Sequence, residues 1–527
     1  MGFAISGMVF LTGCQQIGPI PSEPTSVSST PSRDSLGGAE LVTATPIGSS
    51  TTLPAPELFE ISWQDLSPFR SGLTKEAQAI LEVPSGMSIY HLDLVISDDL
   101  KHVSGREQVL YTNSEDVPLD RVIFRLYPNL LGGKLSIDDL KVDQQKAEPR
   151  YGLEQSLMEV PLAKPLLPGE KVVLSIVFGV EVPSDQAMNF GVLAYSQGIL
   201  AYDHGYPIIA IFNDGSWNSE IPPSWGDLGS SDAAYYLVRI TAPESLRLAV
   251  SGNQIDREVQ EGTQIDTYAI GPARDFYLAA STDFTTTERK IGETTIRAFA
   301  PSAYSERVES AINITAHALQ VYSSHYIGYP YTEIELVVTP TSALGMEYPG
   351  IIALNRKLFT VEQDLPVSPE DAWLESTVAH EVAHQWFYNM IGNDQLNEPW
   401  LDESLAQFAT LEYFRSIRGH LAAEEFQQTL DGRWSRIDRK PIPIDQPVSA
   451  FDPVSYSAIV YGRGAIFLET LEKEIGQQAF DDFMIDYLNQ ELWGISTTGI
   501  FQSLAEKHCS CDLDQLFERW IYPQGSN

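Results

Sequence analysis

The chain has 527 residues, which is long for one ordinary domain and predicts two to four. Hydrophobic residues make up 43% and aromatic residues 10%, a composition typical of globular proteins that excludes fibrous and wholly disordered chains. The formal net charge is −38, which predicts an acidic, solvated surface that repels nucleic acid. We therefore expect no nucleic-acid partner.

The N-terminus carries an apolar run from Gly2 to Leu11, followed by Thr12, Gly13 and Cys14. The run is too short to span a bilayer but suits the core of a signal peptide. It resembles the bacterial lipobox, although no Lys or Arg precedes it. The resemblance implies a signal peptide over 1–13, lipidation of Cys14, and an extracytoplasmic protein that is lipid-anchored to a bacterial cell membrane. The alternative is a hydrophobic N-terminal segment that is not a signal peptide.

Residues 14–60 are rich in Ser, Thr and Pro, which predicts a disordered tether. Residues 61–287 alternate apolar and polar side chains, for example at Tyr90, Leu92 and Leu94, which predicts a β-rich N-terminal domain. Residues 288–527 mix strands with helices and become mostly helical after residue 368. The predicted fold class is therefore a multidomain chain with an all-β domain followed by an α+β domain.

Cys509 and Cys511 are separated by one residue, and no CxxC pair for a thiolate zinc site exists. The two cysteines can form a small strained disulfide or remain free thiols, and we favour free thiols.

A metal-binding pattern lies at His380-Glu381-Val382-Ala383-His384, on a helix predicted to run to Met390. Histidines four positions apart project from one face of a helix, as two ligands of one tetrahedral ion must. Glu381 sits one step round the helix, where it can reach a water on the metal without binding the metal itself. The alternative is that His380 and His384 are core histidines on a buried helix and bind no metal.

A third ligand is required, with a fourth position left for water. Phe387 and Met390 stand where the metzincin pattern requires Gly and His, so that pattern fails. Glu403 follows His384 after eighteen residues, near the start of a second predicted helix over 401–418. Two histidines and one carboxylate form a catalytic rather than a structural zinc site.

These residues resemble the aminopeptidase N family of gluzincin metallopeptidases, whose signature is HExxH, eighteen residues, then Glu. Leu344-Gly345-Met346-Glu347 is similar to that family's Gly-x-Met-Glu-Asn strand, and Tyr461-Gly462-Arg463-Gly464 to its Tyr-x-Lys-Gly segment. The stretch 511–520 looks like the close of its catalytic domain. The resemblance covers roughly 85–525 and implies a thermolysin-like catalytic domain, without the further C-terminal domains of many members.

The resemblance assigns a role to each site residue. His380, His384 and Glu403 would hold one zinc ion per chain, and Glu381 would act as general base. Tyr461 would stabilise the oxyanion. Glu347, with Gly345 and Met346 on the same strand, would bind the substrate, the Glu347 carboxylate taking its free α-amine. The chain would then be a metallo-aminopeptidase acting on peptides.

Some positions depart from the family, notably Tyr348 after Glu347, and Asp402 and Ser404 around the third ligand. A residue of the N-terminal domain that helps to bind the amine is expected in the region 212–227. The alternatives are a zinc endopeptidase or another zinc hydrolase on the same fold, and a non-catalytic interaction protein. The oligomeric state is not predicted.

Overall fold

The computed structural model describes residues 53–82, 86–184, 190–213, 215–360 and 370–523. The predicted signal peptide, Cys14 and residues 15–52 of the predicted tether lie outside the described residues. Within the described ranges, no helix has both the length and the apolar character needed to cross a membrane.

The N-terminal part of the described chain is built from strands. They are β1 (Ser88–Ile96), β2 (His102–Thr112), β3 (Leu119–Arg125), β4 (Lys134–Val142), β5 (Gln145–Lys146), β6 (Arg150–Gly152), β7 (Leu157–Leu166), β8 (Lys171–Glu181), β9 (Leu193–Ser196), β10 (Ile199–Tyr202), β11 (Ile208–Ile209), β12 (Phe212–Asn213), β13 (Ser216–Trp217), β14 (Ala234–Pro243), β15 (Arg247–Val250), β16 (Asn253–Gln260), β17 (Thr263–Ala273) and β18 (Leu278–Ser281).

The C-terminal part combines a small sheet with helices. Its elements are β19 (Phe284–Ile291), β20 (Thr294–Pro301), α1 (Ser305–His325), β21 (Glu333–Thr339), β22 (Gly345–Tyr348), β23 (Ile351–Asn355), α2 (Glu370–Ala383), α3 (Trp400–Ile417), α4 (His420–Ser435), α5 (Pro453–Tyr456), α6 (Gly464–Ile475), α7 (Gln477–Gln490), α8 (Thr498–Cys509) and α9 (Asp514–Trp520). A π-helical segment, Ser457–Arg463, joins α5 to α6.

The largest sheet has eight strands in the order β16-β17-β14-β1-β2-β8-β4-β5. Tyr90, Leu92 and Leu94, which carry the alternation of β1, are 3%, 0% and 0% exposed, so that face of the strand lies in the core. The predicted order of a β-rich region followed by a mostly helical half is confirmed.

A five-stranded sheet, β19-β20-β21-β23-β22, forms the floor of the C-terminal part. Strand β22 lies at its edge and pairs antiparallel with β23, while β20, β21 and β23 run parallel. This arrangement places the Gly345–Tyr348 strand next to α2. The boundary predicted between 287 and 288 lies inside β19.

Two expectations require correction. Helix α2 ends at Ala383 rather than continuing to Met390. Beyond it the amides of Asn389 and Met390 bond to carbonyls five residues back, at His384 and Gln385, which widens the turn.

The cysteine pair is the second correction, because Cys509 and Cys511 form a disulfide and are not free thiols. Ser510 between them adopts left-handed backbone angles, with φ 52°, at the C-terminus of α8. This turn brings the two Cα atoms to 5.1 Å, within the range that a disulfide spans.

The two parts of the chain are joined by a buried polar contact. Arg274, at the end of β17, donates to the carbonyls of Tyr388 at 2.5 Å, Gly494 at 2.5 Å and Ser231 at 3.1 Å. Its side chain is fully buried, and burial lowers its pKa to about 10. One guanidinium therefore ties the strand region to the segment that follows α2.

Candidate active site

Helices α2 and α3 pack against each other and carry the three predicted metal ligands. His380 lies in the last turn of α2, His384 follows directly after that helix, and Glu403 lies in the first turn of α3. All three side chains are buried, with His384 only 1% exposed. The structure thus brings together residues that are twenty-three positions apart in the sequence.

The donor atoms converge on one point. His380 Nε2 lies 3.1 Å from Glu403 Oε2 and 3.2 Å from His384 Nε2, and His384 Nε2 lies 3.5 Å from Glu403 Oε2. Tetrahedral zinc with bonds of about 2.0–2.1 Å separates its ligand atoms by about 3.3 Å. The three separations therefore fit a zinc ion.

The hydrogen bonding of the histidines agrees with this fit. His384 Nδ1 lies 2.9 Å from the carbonyl oxygen of Phe387, to which it donates, so Nε2 is the nitrogen that faces the other ligand atoms. Burial opposes protonation of His384, but the charge of Glu347 and the hydrogen bond of Glu403 outweigh it and raise the pKa of this ring, so a bound metal ion would take the place of the proton on Nε2. Burial lowers the pKa of His380, which favours a neutral ring there. Two imidazole nitrogens facing each other at 3.2 Å are stable as neighbours when a cation lies between them.

Glu381 faces the edge strand β22. At Gly345 the backbone passes so close to the Glu381 carboxylate that any Cβ would overlap with it. Glu381 is also hydrogen-bonded to Glu347, and burial together with this neighbour raises its pKa well above the usual range. Glu347, Glu381 and His384 present ligand atoms within 4.8 Å of one another. The predicted base and amine-binding residue are therefore neighbours.

Tyr461 approaches the same site from the π-helical segment Ser457–Arg463. Its hydroxyl donates to Glu403 Oε1, and its ring lies beside His380 with centroids 5.9 Å apart. Burial raises the pKa of the Tyr461 hydroxyl well above 10, so it stays protonated at neutral pH and can donate. π-helical turns are frequent at functional sites, and the sequence carried no local signal for this one.

The loop between β13 and β14 adds a residue that the sequence located only as a region. Asp227 lines the same cavity as the zinc ligands, and its Oδ2 is buried without a hydrogen-bond partner. Burial, followed by the charge of Glu403, raises its pKa well above the usual range. No local pattern in the sequence identifies Asp227, because this residue comes near Glu347 only when its loop packs onto the helices.

Residues around the ligands hold them in position. Asp402 accepts a bond from the amide of Glu403 at 2.7 Å, and Ser404 donates to the carbonyl of Val460 at 2.6 Å. Gln385 donates to the Tyr348 carbonyl and accepts from the Gly350 amide, which ties the end of α2 to the β22–β23 hairpin. Such outer contacts orient metal ligands.

Tyr348, one of the departures from the family pattern, points away from this site. Its ring stacks on Tyr277 of the strand region, with centroids 4.0 Å apart and planes at 9°. It is 3% exposed and belongs to a small apolar cluster between the two parts of the chain. The residue therefore contributes to the packing of the interface rather than to the cavity.

The cavity has a volume of about 330 Å³ and contains all the residues predicted for the site. The strand region supplies an apolar wall that includes Leu130, Phe190, Val192 and Ile221. The C-terminal part supplies His380, Glu381, His384, Glu403 and Tyr461, with Gly345, Met346 and Glu347 on the edge strand. An apolar cleft with a few convergent polar groups is the usual form of a small-molecule site.

Comparison with protein families identifies the same region. Residues 310–520 match the peptidase family M1 domain. A probable aminopeptidase 1 of Sulfurisphaera tokodaii is 26% identical over 230 residues, which cover 42% of this chain and 29% of that protein. A probable aminopeptidase 1 of Saccharolobus solfataricus is 27% identical over 283 residues, covering 50% of this chain and 34% of that protein. The matched segment thus spans about a third of these relatives.

Solved structures share the fold over most of the chain. An M1 zinc metallopeptidase mutant from Deinococcus radiodurans superposes with a TM-score of 0.62 at 19% identity, covering 84% of this chain and 96% of that one. The same protein bound to a Tyr-Ser-Ala substrate superposes with a TM-score of 0.60 at 20% identity, covering 83% and 96%. At these identities the likeness concerns the fold.

Proposed function

We infer that this chain, whose residues 310–520 belong to peptidase family M1, is a zinc-dependent aminopeptidase that removes the N-terminal residue of peptides. The inference rests on one observation: Glu347 and Asp227 line the same cavity as Glu381 and the three ligand atoms. Carboxylates next to a hydrolytic site suit a substrate whose cationic α-amine must lie beside the scissile bond.

His380, His384 and Glu403 would hold the zinc ion. When bound, zinc lowers the pKa of a water toward about 7 and polarises a carbonyl group. Glu381 accepts the proton of the attacking water and passes it to the amine that leaves. The contact of Gly345 with the Glu381 side chain keeps that carboxylate fixed for both transfers.

Tyr461 donates a hydrogen bond to the carbonyl oxygen as negative charge develops on it. Its raised pKa keeps the proton available for this bond. Loss of one such donor costs about 3 kcal/mol of transition-state stabilisation in comparable sites. Glu347 and Asp227 bind the α-amine and so place the first peptide bond next to these groups.

Hydrolysis of leucine p-nitroanilide and of its N-acetylated form tests this function. We expect the free-amine anilide to be cleaved, the acetylated one to be cleaved at least about a hundredfold more slowly, and a chelator to abolish both activities. Replacement of Glu347 by Ala should reduce this preference because it removes a charged partner of the amine. Equal cleavage of both anilides by the natural chain would instead indicate an endopeptidase.

We also propose that the protein is held at the outer face of a bacterial membrane through a lipid on Cys14. The apolar run before Cys14 and the Ser/Thr/Pro-rich segment after it support this proposal. The Cys509–Cys511 disulfide supports an oxidising compartment, where such bonds persist. Fractionation of bacteria expressing the chain should find it in membranes, and the Cys14→Ser variant in the soluble fraction. An unchanged membrane fraction for that variant would contradict the proposal.

A further inference from the structure

The cavity contains a buried cation that the proposed mechanism does not use. Arg433, on α4, is 5% exposed and lines the cavity together with Glu403 and Tyr461. Burial lowers its pKa to about 10, so it stays protonated at neutral pH. A buried charge is costly unless a counter-charge balances it, which makes the partners of this guanidinium informative.

Arg433 has few partners within the chain. Its Nη1 donates to Ser457 Oγ at 2.9 Å, and its guanidinium lies over the Tyr461 ring. In the described ranges it forms no ion pair with a carboxylate, whereas Arg297 pairs with Glu333 at 3.1 Å and Glu335 at 3.2 Å. An arginine side chain carries several further N–H donors in a planar fork that suits a carboxylate. A ligand in the cavity can reach these further N–H donors of Arg433.

Arg433 and Glu347 lie on different sides of the three ligand atoms. Glu347 and Glu381 group with His384 on the side of β22. Arg433 stacks on Tyr461, whose hydroxyl bonds the Oε1 of Glu403, while Oε2 faces His380. The order across the cavity is therefore Glu347 and Glu381, the ligand atoms, Tyr461 and the Arg433 guanidinium. This order of charges is complementary to a short zwitterionic peptide, whose ammonium group would face Glu347 and whose carboxylate would face Arg433.

The dimensions of the cavity agree with a short ligand. Its volume is about 330 Å³, near the lower end of the usual range for ligand pockets. An extended dipeptide spans about 7 Å and a tripeptide about 10 Å. The chain as a whole carries a net charge of −38 and repels anions, so a substrate carboxylate requires a local cation to bind.

We propose that Arg433 binds the terminal carboxylate of di- and tripeptides and so makes this site selective for short peptides. The proposal rests on the proposed aminopeptidase function and names the substrate class of that site. The competing explanation is structural, with Arg433 only supporting the Tyr461 ring and Ser457. A structural role would affect all substrates alike, whereas carboxylate binding affects only those with a free C-terminus nearby.

The test compares kcat/KM for Leu-Gly and Leu-Gly-Gly with kcat/KM for their C-terminal amides. For the natural chain we expect the free acids to be preferred by about tenfold or more, as for a hydrogen bond to a charged group. Arg433→Gln should bring the acid-to-amide ratio of the same substrates close to one. Arg433→Lys, which keeps the charge but loses the planar fork, should give an intermediate ratio.

Arg439→Gln provides the matched control. Arg439 lies just beyond α4, is exposed and pairs with Asp431 at 2.5 Å, so this variant removes the same charge outside the cavity. We expect its acid-to-amide ratio to equal that of the natural chain. An Arg433→Gln ratio that stays at the natural value would overturn the proposal.

The two proposals fail in different ways. If the natural chain does not cleave leucine p-nitroanilide, the aminopeptidase function fails. If it cleaves the anilide but hydrolyses acids and amides equally, the role of Arg433 alone fails. The second result needs no variant, so it holds even if a substitution at Arg433 prevents folding.

Discussion

At the scale of single residues, Gly345 and Glu381 depend on each other. Strand β22 runs so close to α2 that the Glu381 carboxylate occupies the space of a Cβ at position 345. A glycine inside a strand weakens the strand, so its presence here is explained by this close approach. The residue predicted to belong to the substrate strand therefore also sets the position of the base.

The first prediction concerns this contact. Gly345→Ala should reduce kcat by about a hundredfold because the new methyl group displaces the Glu381 carboxylate by about an ångström. Bound zinc, measured by atomic absorption, should remain at one ion per chain because the three ligands are untouched. Gly179→Ala in β8 is the control, since its Cβ would lie 3.7 Å from the nearest neighbouring atom, Ser136 Oγ, and kcat should not change. Equal kcat values for both variants would contradict the prediction.

The second prediction separates the base from the metal ligands. Glu381→Gln keeps the size of the side chain but cannot accept the proton of water, so hydrolysis should fall by at least about a thousandfold. Zinc content should be unchanged because Glu381 is not one of the three converging ligands. Turnover at the natural rate in the zinc-loaded variant would refute the role assigned to Glu381.

At the scale of elements, the close packing of α3 against α6 positions Glu403. Gly464, the first residue of α6, faces Ser404, and a Cβ at 464 would overlap with the Ser404 hydroxyl. Ser404 in turn donates to Val460 in the π-helical segment that carries Tyr461. The third zinc ligand and the tyrosine are thus held by one contact between neighbouring elements.

The third prediction follows from this contact. Gly464→Ala should lower both zinc affinity and kcat, by roughly tenfold or more each, because it separates α6 from α3 and shifts Glu403 and Tyr461 together. Gly432→Ala in α4 is the control, since no atom lies within 4 Å of its added Cβ. That control should be neutral or stabilise the protein by up to about 1 kcal/mol. Zinc titration and steady-state kinetics measure the two effects.

The same elements show how far the sequence could predict the site. His380 and His384 were predictable because both belong to one short segment, whose spacing alone sets their geometry. Glu403, Glu347 and Tyr461 required resemblance to a family, since they come from three other elements. Asp227 and Arg433 have no local signal, because their proximity to the ligands arises only when a loop and α4 pack onto α2 and α3.

The fold, like the site, could be predicted from the sequence only in part. Alternation along β1 and helical spacing along α1 and α3 are local, and the predicted β-rich and helical regions followed from them. The end of α2 at Ala383 was missed because the next amides, of Gln385 and Trp386, bond to carbonyls three residues back, a change in backbone bonding that the spacing of apolar side chains does not reveal. The disulfide was missed because it depends on the left-handed backbone of Ser510, which brings the cysteines together. The amino-acid composition does not predict that backbone conformation.

At the scale of the whole molecule, a buried ionic group connects the strand region to the site. His204 Nδ1 lies 2.5 Å from Asp203 Oδ1, and both side chains are buried. Burial opposes protonation of His204, but the charge and hydrogen bond of Asp203 outweigh it and raise the pKa to about 9. Asp275, whose pKa is raised to about 6 by burial, accepts a bond from Tyr388 in the turn after His384.

The fourth prediction is a dependence of stability on pH. Because the folded-state pKa of His204 lies above its ordinary value of about 6.5, its contribution is fully present below pH 6.5. It is lost as the pH rises through 9, and it amounts to about 3 kcal/mol. The melting temperature of the natural chain should therefore fall between pH 6.5 and 9, as followed by circular dichroism.

His204→Gln isolates this contribution from other groups. Glu335, whose pKa burial raises to about 8, also lowers the stability as the pH rises, because the unfolded chain releases its proton first. Glu335 acts equally in both proteins, so the difference in melting temperature reports His204 together with Asp203 and Asp275, with which its charge interacts. We expect this difference to be largest at pH 6 and to disappear above pH 9; a constant difference would contradict the assignment.

The contributions to the cavity are spread along the chain, from Leu130 and Phe190 through Asp227 and Glu347 to Tyr461. Arg274 then ties the strand region to Gly494 near the end of the described residues. A chain that emerges from the ribosome N-terminus first therefore has no complete site until Tyr461 has appeared. The order of residues along the chain therefore delays the proposed peptidase activity until the last part of the site has been synthesised.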